Sequence, residues 1–347
     1  MKKIIIAGDW SWDHCEKAFS NSLKSHGFDV IPFIFEKGSL NKISQLIPTH
    51  FSTKAFKDSL MALCLKEKPD YIFLWNATHI SSRTISLLKN EGIQIITYSN
   101  DDPYTRQNKP LAQFFLWRYF LKYIKHSNFH FVYRPINLIE SKKYTKSITH
   151  LLPPYFIPEV FSETQLSMEE KNRFSCDVVF IGHYENDYRS EYIESIYDSG
   201  IKIKIFGTGW NEKAPTRFKA KFGKIERLDQ VNYFKSLNAS KICLSFLSKW
   251  NRDVYTRRCF EIPASGNLLL CERNDVIKNF FIEDQEAVFF ETKEEMLKKV
   301  KWLISNPPLI DKIAKAGKER VNKDGHDIKS RVGYFIDLIS EKPTKRL

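Results

Sequence analysis

Two arginines and a glutamate fall within one predicted helical turn late in the chain, at Arg257, Arg258 and Glu261. The turn reads as a short helix that ends at Pro263 and leads into a buried strand, the apolar run 267–271. A guanidinium group matches phosphate oxygens, and a carboxylate accepts hydrogen bonds from two sugar hydroxyls. The pattern therefore fits a nucleotide-sugar ligand. The alternative is a surface helix in which an arginine pairs with the glutamate at helical spacing.

Length and composition allow two domains and favour anionic partners. The chain has 347 residues, 42% of them hydrophobic, and a net charge of +13. These values exclude a disordered chain and indicate nucleic acid, an anionic membrane surface or phosphorylated small molecules as partners. The six cysteines show no metal-binding spacing, so we interpret them as small core residues of a cytoplasmic protein.

A strand–helix–glycine–strand pattern occurs three times, with the glycine at Gly27, Gly92 and Gly200. Glycine after a helix supplies a left-handed turn, and unbroken apolar strands suit a sheet that is covered on both faces. Ser11 is the predicted cap of the first helix. The repetition predicts doubly wound α/β domains with parallel sheets.

The proline-rich run 151–158 interrupts this alternation. It predicts an N-terminal Rossmann-like domain over residues 1–155, a linker over 156–175 and a second Rossmann-like domain over 176–327. The last segment, 328–347, is predicted to be a helix that crosses back toward the N-terminal domain.

Ligands of open parallel sheets bind beyond the carboxyl ends of the strands, so the loops that follow strands are candidate sites. In the second domain Gly182 and Gly207 follow two predicted strands, and Arg189 opens the next helix. Neither loop matches the dinucleotide fingerprint or the P-loop. For each loop the alternative interpretation is therefore an ordinary turn at the end of a strand.

Together these stretches resemble the CgeB-like glycosyltransferases. The run 258–266 resembles their R-x-F-E-x-P-A-x-G stretch, and Val178–Gly182, Ile205–Trp210 and Ile313–Val321 are similar to other parts of their donor domain. The resemblance covers about residues 176–334 and is loose in the N-terminal half. It implies a GT-B fold, in which two Rossmann-like domains face a central cleft, and a metal-independent enzyme without a cofactor.

The resemblance also implies which residues bind the donor. Glu261 would bind ribose or sugar hydroxyls, Arg258 and Arg257 would bind the diphosphate, and Gly182 and Gly207 would shape the backbone around the nucleotide. The full candidate donor-binding set is Gly182, His183, Arg189, Gly207, Thr208, Tyr255, Arg257, Arg258, Glu261 and Gly266.

Candidates for a catalytic base lie in the N-terminal half. Asp101 and Asp102 directly follow a predicted strand, although an Asp-Pro turn explains them equally, and their spacing does not favour a metal site. His14 follows the first strand, together with Asp9 and Asp13, and a histidine can deprotonate an acceptor hydroxyl near neutral pH. The candidate catalytic residues are therefore Asp102, His14 and Asp101.

The run 114–125 is almost entirely aromatic and aliphatic, with Arg118, Lys122 and Lys125 on one helical stripe. A buried helix with one solvent-facing stripe is the favoured interpretation. The alternative is a helix in the membrane interface that brings the protein to a lipid-linked acceptor at the inner membrane face.

These observations predict a cytoplasmic glycosyltransferase that takes a nucleotide-sugar donor and a glycan, lipid-linked or protein acceptor. Peripheral contact with an anionic membrane surface is part of this expectation, and nucleic acid is not. One alternative is a basic nucleic-acid-binding protein, which only the charge favours because no recognition motif accompanies it. The other is a GT-B binding module without turnover.

Overall fold

In a computed structural model the chain forms two compact units. The first contains Met1–Pro153 and Ile328–Leu347, and the second contains Pro154–Asp327. The segment 156–175, predicted as a linker, lies in the second unit. The structure describes residues 1–35, 47–105, 111–161 and 166–340.

The described part of the first unit contains a six-stranded parallel sheet in the order β2-β1-β3-β4-β5-β6. Its strands are β1 (Lys3–Gly8), β2 (Asp29–Ile34), β3 (Tyr71–Trp75), β4 (Gln94–Ser99), β5 (Phe129–Val132) and β6 (Thr149–Leu151). Its helices are α1 (Ala18–Ser25), α2 (His50–Glu67), α3 (Ser82–Asn90), α4 (Leu111–Tyr123), α5 (Pro135–Glu140) and α14 (Ile328–Ser340), with a π-helical turn at Asp13–Lys17 and 3-10 turns at Ile124–His126 and Ser141–Lys143.

The described part of the second unit contains a five-stranded parallel sheet in the order β11-β10-β9-β7-β8. Its strands are β7 (Cys176–Ile181), β8 (Ile203–Phe206), β9 (Ser240–Ser245), β10 (Leu269–Glu272) and β11 (Val288–Phe290). Its helices are α6 (Met168–Phe174), α7 (Arg189–Asp198), α8 (Trp210–Lys213), α9 (Thr216–Phe222), α10 (Gln230–Asn238), α11 (Arg258–Ala264), α12 (Lys293–Ile304) and α13 (Pro307–Lys323), with 3-10 turns at Pro158–Val160 and Ile277–Asn279.

The glycine turns confirm the predicted repeat. Gly27, Gly92 and Gly200 have φ angles of +85°, +80° and +79°. These values lie in the left-handed region, which costs a residue with a Cβ about 1–2 kcal/mol. The sheets are parallel throughout, so the prediction of doubly wound domains is also confirmed.

The entry to the first helix differs from the prediction. The Ser11 hydroxyl does not cap it but donates to Asp9 Oδ1 at 2.6 Å. Trp12 occupies the cap position but makes no side-chain capping bond, and the π-helical turn contains a residue with non-helical backbone angles, Cys15. A serine before an apolar run predicts a cap only when the helix starts regularly, and here it starts with a kink.

The aromatic helix α4 packs its apolar face into the first unit. Trp117, Phe120 and Tyr123 are buried in the core, whereas Lys122 is exposed. These three rings thus serve the core, as the favoured interpretation expected, whereas Phe114 is 39% exposed. None of the described helices is both long and apolar enough to cross a bilayer.

The last helix, α14, packs against the core of the first unit. Phe335 is fully buried, and its ring centroid lies 5.1 Å from those of Phe19 and Phe73 and 4.9 Å from that of Phe131. Aromatic contacts of this kind add to the free energy gained from burying the rings. The end of the described chain is therefore a structural part of the first unit.

We expect Phe335→Ala to lower the free energy of unfolding of the first unit by about 3–5 kcal/mol, because it leaves a cavity among three aromatic rings. The matched control is Tyr334→Ala, since Tyr334 is 41% exposed. Urea unfolding curves measure both variants. Equal losses would contradict the packing role of Phe335.

Candidate functional site

The order of the strands reverses between β7 and β9 in the second unit. The chain runs from β7 to β8 on one side and from β9 to β11 on the other. Ligands of parallel sheets bind in the crevice at such a switch point, beyond the carboxyl ends of the strands. The loops after β7 and β9 are therefore the expected position of a ligand in this unit.

A cavity of about 650 Å³ lies at this switch point. Its volume falls within the ~300–1,000 Å³ typical of small-molecule sites. Residues from three loops or helices that follow β7, β8 and β9 line it, among them His183, Glu185, Lys213, Ser248, Trp250 and Asn251. Only His183 belongs to the candidates identified from the sequence.

Glu185 organises one wall of the cavity. Its Oε1 lies 3.0 Å from His183 Nε2, and its Oε2 accepts from the Ser248 hydroxyl at 3.1 Å. Burial opposes ionisation, but the hydrogen bond from His183 and the charge of Arg189 outweigh it and lower the pKa of Glu185. The carboxylate is thus charged near neutral pH and joins the loops after β7 and β9.

Arg189 is buried and holds the loop after β7 in place. It forms two hydrogen bonds with the Asp187 carboxylate, at 2.8 and 2.9 Å, and donates to the His183 carbonyl at 2.9 Å. A further contact joins its guanidinium to Glu185 at 3.2 Å. These contacts give Arg189 a positioning role beside the cavity.

The two glycine loops pack against each other. Gly207 has φ +142°, and a Cβ there would lie 2.0 Å from the Gly182 carbonyl oxygen. The same oxygen accepts a hydrogen bond from Trp210 Nε1 at 2.8 Å. Thr208 is exposed, and its carbonyl accepts from the Tyr184 amide at 2.9 Å. Close packing of the loops therefore explains the absence of a side chain at Gly207, whereas at Gly182 a Cβ would lie 2.7 Å from the ring of Phe180.

The arginine–glutamate turn forms helix α11, which follows the same loop that supplies Ser248 and Trp250. Glu261 is only 3% exposed. Its Oε1 pairs with Arg257 Nε at 3.0 Å, and its Oε2 accepts from the Tyr233 hydroxyl at 3.2 Å. The arginine pair at helical spacing thus forms, but around a buried carboxylate, so the surface-helix interpretation is wrong.

Two cationic N–H groups of this turn have no acceptor. Arg257 Nη1 and Arg258 Nε are buried, and neither has a hydrogen-bond partner among the described residues. Buried donors are nearly always paired, and a charged one left unpaired costs about 1–3 kcal/mol or more. This arrangement is suited to an anionic ligand.

The environment of the turn is otherwise apolar. Tyr255 is fully buried, with ring centroids of Phe260 and Phe280 at 6.0 and 5.6 Å. Gly266 has φ +83° and ends the turn after α11. Burial, and next the nearby Glu261 carboxylate, raises the pKa of Tyr233, so its hydroxyl remains a donor. Tyr255 and Gly266 therefore have structural roles: Tyr255 packs beside the turn, and Gly266 ends it.

The candidate bases of the first unit have different surroundings. Asp102 is fully buried, and its Oδ1 accepts from the Tyr104 amide at 3.1 Å and from Asn137 Nδ2 at 3.2 Å. Asp101 and His14 are half-buried. His14 lies in the π-helical turn after β1, next to the switch point of the first sheet between β1 and β3.

Two buried polar residues that were not among the candidates, Arg134 and His130, contact residues close to Asp102 in the sequence. Arg134, itself buried, donates to the Asn100 carbonyl at 3.0 Å, and His130 lies 2.5 Å from the Tyr104 hydroxyl. Burial lowers the pKa of His130 to about 3, so this histidine is neutral. The described residues contain no group of three or more His, Cys, Asp or Glu side chains placed to hold a metal ion.

Comparison with known proteins places this arrangement in a common fold. The chain is similar to a sucrose-phosphate synthase from Thermosynechococcus elongatus, with a TM-score of 0.70, 10% sequence identity and 98% of each chain covered. It is also similar to Anabaena HepE in complex with UDP and glucose, with a TM-score of 0.66, 8% identity, and 99% of this chain and 100% of that one covered. The chain has the GT-B fold.

The GT-B fold alone does not fix the reaction. A putative UDP-N-acetylglucosamine 2-epimerase from Listeria monocytogenes is similar as well, with a TM-score of 0.57, 12% identity, and 98% of this chain and 96% of that one covered. Residues 189–337, which include helix α11, match a family model described as glycosyl transferase-like. No match was found among curated protein sequences.

Gly207→Ala should destabilise the second unit by about 2–4 kcal/mol, because the new Cβ collides with the Gly182 carbonyl and the backbone angle disfavours it. Gly200→Ala is the control: its φ is also positive, but a Cβ there meets nothing within 4 Å. Thermal unfolding compares the two. A Gly207 variant as stable as the Gly200 variant would contradict the packing of the glycine loops.

Proposed function

We propose that this GT-B protein is a glycosyltransferase that moves a sugar from a nucleotide-sugar to a hydroxyl of a glycan, lipid-linked or protein acceptor. The bond between the anomeric carbon and the diphosphate oxygen breaks, and a bond between that carbon and the acceptor oxygen forms. The acceptor proton passes to a base, and the nucleoside diphosphate leaves. The family match over residues 189–337 supports this reaction class.

The proposal rests on the two cationic N–H groups at Arg257 and Arg258 that have no hydrogen-bond partner among the residues described by the structure. In our account the donor diphosphate accepts from these N–H groups, and their positive charge stabilises the leaving diphosphate as the bond breaks. Arginines in this role make a metal unnecessary, so we propose a metal-independent reaction.

Glu261 and the cavity would hold the rest of the donor. Glu261 already accepts one hydrogen bond at each carboxylate oxygen, and each oxygen can accept one more from ribose or sugar hydroxyls. The cavity between the loops after β7 and β9 has the volume for the remaining groups, and Lys213 and Trp250 on its lining offer a charge and an aromatic face.

The base would come from the first unit. Asp102 is buried and already accepts two hydrogen bonds, so we assign it to positioning the loop after β4. His14 and Asp101 are more accessible, and His14 lies beside a switch point. We therefore propose His14 as the first candidate to take the acceptor proton and Asp101 as the second.

Arg258→Lys tests the donor site, because lysine keeps the charge but removes the Nε donor. We expect it to weaken nucleoside-diphosphate binding by about 10- to 100-fold, the range for a charge-assisted hydrogen bond. Calorimetry with UDP, GDP, CDP and dTDP measures the change for the diphosphate that binds the unaltered chain most tightly.

Arg217→Lys is the matched control, since Arg217 is exposed and pairs with Glu194 in the same unit. Unchanged affinity in the Arg258 variant would refute the assignment of the diphosphate to this turn. Incubation of the unaltered chain with a nucleotide-sugar then distinguishes the reactions: transfer or slow hydrolysis supports a transferase, whereas an epimerised donor contradicts it.

A further inference from the structure

A group of exposed isoleucines and lysines lies at the edge of the first sheet. Ile136 and Ile139 on α5 and Ile148 before β6 are 44%, 69% and 62% exposed. The exposed lysines Lys142, Lys143 and Lys146 lie between them in the sequence. We call these six residues the Ile–Lys patch.

Hydrogen bonds bring the parts of the Ile–Lys patch together. Ile136 and Ile139 are three residues apart on α5 and share a face of the helix. The Ser141 hydroxyl lies 3.0 Å from that of Thr149, which places Ile148 beside the 3-10 turn that carries Lys142 and Lys143. The Ile–Lys patch thus lies on neighbouring segments of the chain: helix α5, the 3-10 turn after it and the segment that leads into β6.

The surroundings of the patch are strongly basic. The Ser147 hydroxyl donates to the Ser127 carbonyl at 2.5 Å, so the segment with the exposed Lys125 lies next to the segment with Lys146. Between residues 118 and 149 the sequence contains seven lysines and arginines but a single acidic residue, Glu140. Glu140 accepts a hydrogen bond from Asn137 Nδ2 at 3.0 Å. Lysines and arginines therefore outnumber acidic residues in this part of the sequence.

We propose that the Ile–Lys patch docks the first unit on an anionic lipid bilayer. Isoleucine side chains gain free energy when they enter the boundary of the acyl chains, and lysines next to them bind anionic headgroups. This chemistry needs no spanning helix. The proposal is independent of the reaction proposed above, because it concerns a different unit from the donor site.

A second copy of the chain fits the patch less well. In a twofold contact the patch would face a second copy of itself, and two surfaces with the same positive net charge repel each other. An extended layer of anionic headgroups neutralises all of them at once. Charge complementarity thus favours the bilayer over self-association.

Co-sedimentation of the full chain with lipid vesicles tests the proposal. We expect binding to vesicles of phosphatidylglycerol and phosphatidylcholine, little binding to phosphatidylcholine alone, and weaker binding as salt is raised. Exchange of Lys142, Lys143 and Lys146 for glutamine should weaken binding by roughly 100-fold, from about five-fold for each lysine. Ile139→Asp should also abolish most of it.

Two controls separate the patch from general charge and apolar exposure. Exchange of Lys301, Lys312 and Lys315 for glutamine removes the same charge from exposed positions of the second unit, and Leu65→Asp alters another side chain of the first unit that is 69% exposed. Both control proteins should bind like the unaltered chain, and circular dichroism checks that every variant is folded.

Three results would overturn the proposal. The first is an unaltered chain that does not bind anionic vesicles or that binds zwitterionic vesicles equally well. The second is patch variants that bind like the controls. The third is a dimer, seen by sedimentation without vesicles, that Ile139→Asp converts to a monomer, because the patch would then be an interface between copies.

Discussion

The second unit depends on charged side chains that are buried next to the carboxyl ends of its strands. Burying a charge is costly unless oppositely charged or hydrogen-bonding groups surround it. Glu261 meets this requirement through Arg257 and Tyr233, and Glu185 meets it through His183, Ser248 and Arg189. Removing one member of such a pair costs about 3–5 kcal/mol, so the loops that carry them have little freedom.

These constraints also bear on the nucleotide-sugar that we propose as the ligand. The two carboxylates are compensated within the protein, whereas Arg257 and Arg258 keep buried N–H groups that find no acceptor in the part of the chain that the structure describes. The turn therefore has more hydrogen-bond donors than acceptors and a net positive charge. A diphosphate would supply acceptors and negative charge together, so under the proposed function a nucleotide-sugar fits this site better than a neutral sugar alone.

Much of the fold could be predicted because local sequence patterns specify its helices, strands and turns. The glycines after helices and the apolar runs, such as Tyr71–Trp75, identify the α/β alternation without knowledge of contacts. The helix His50–Glu67 was missed, since its apolar residues follow no clear helical stripe and its capping box uses Ser52 instead of an acidic residue. The short strands β5 and β6 carry too few residues to give a pattern.

The site could be predicted only where one segment contains it. Arg257, Arg258 and Glu261 lie within a single turn, so their spacing was informative. Glu185 and Ser248 are far apart in the sequence and meet because β9 pairs with β7, although β8 lies between these strands in the chain. Lys213 joins them because β8 pairs with β7 on its other side. Burial of Asp102 depends on Asn137 and Tyr104 in the same way.

Hydrogen exchange of the full chain, with and without UDP-, GDP-, CDP- and dTDP-glucose, tests the location of the donor site most directly. With at least one of these compounds, amide exchange should slow in the loops 183–188 and 246–258, because the ligand would close the switch point between β7 and β9. Unchanged exchange in both loops with every compound would contradict a nucleotide-sugar site at the carboxyl edge of the second sheet.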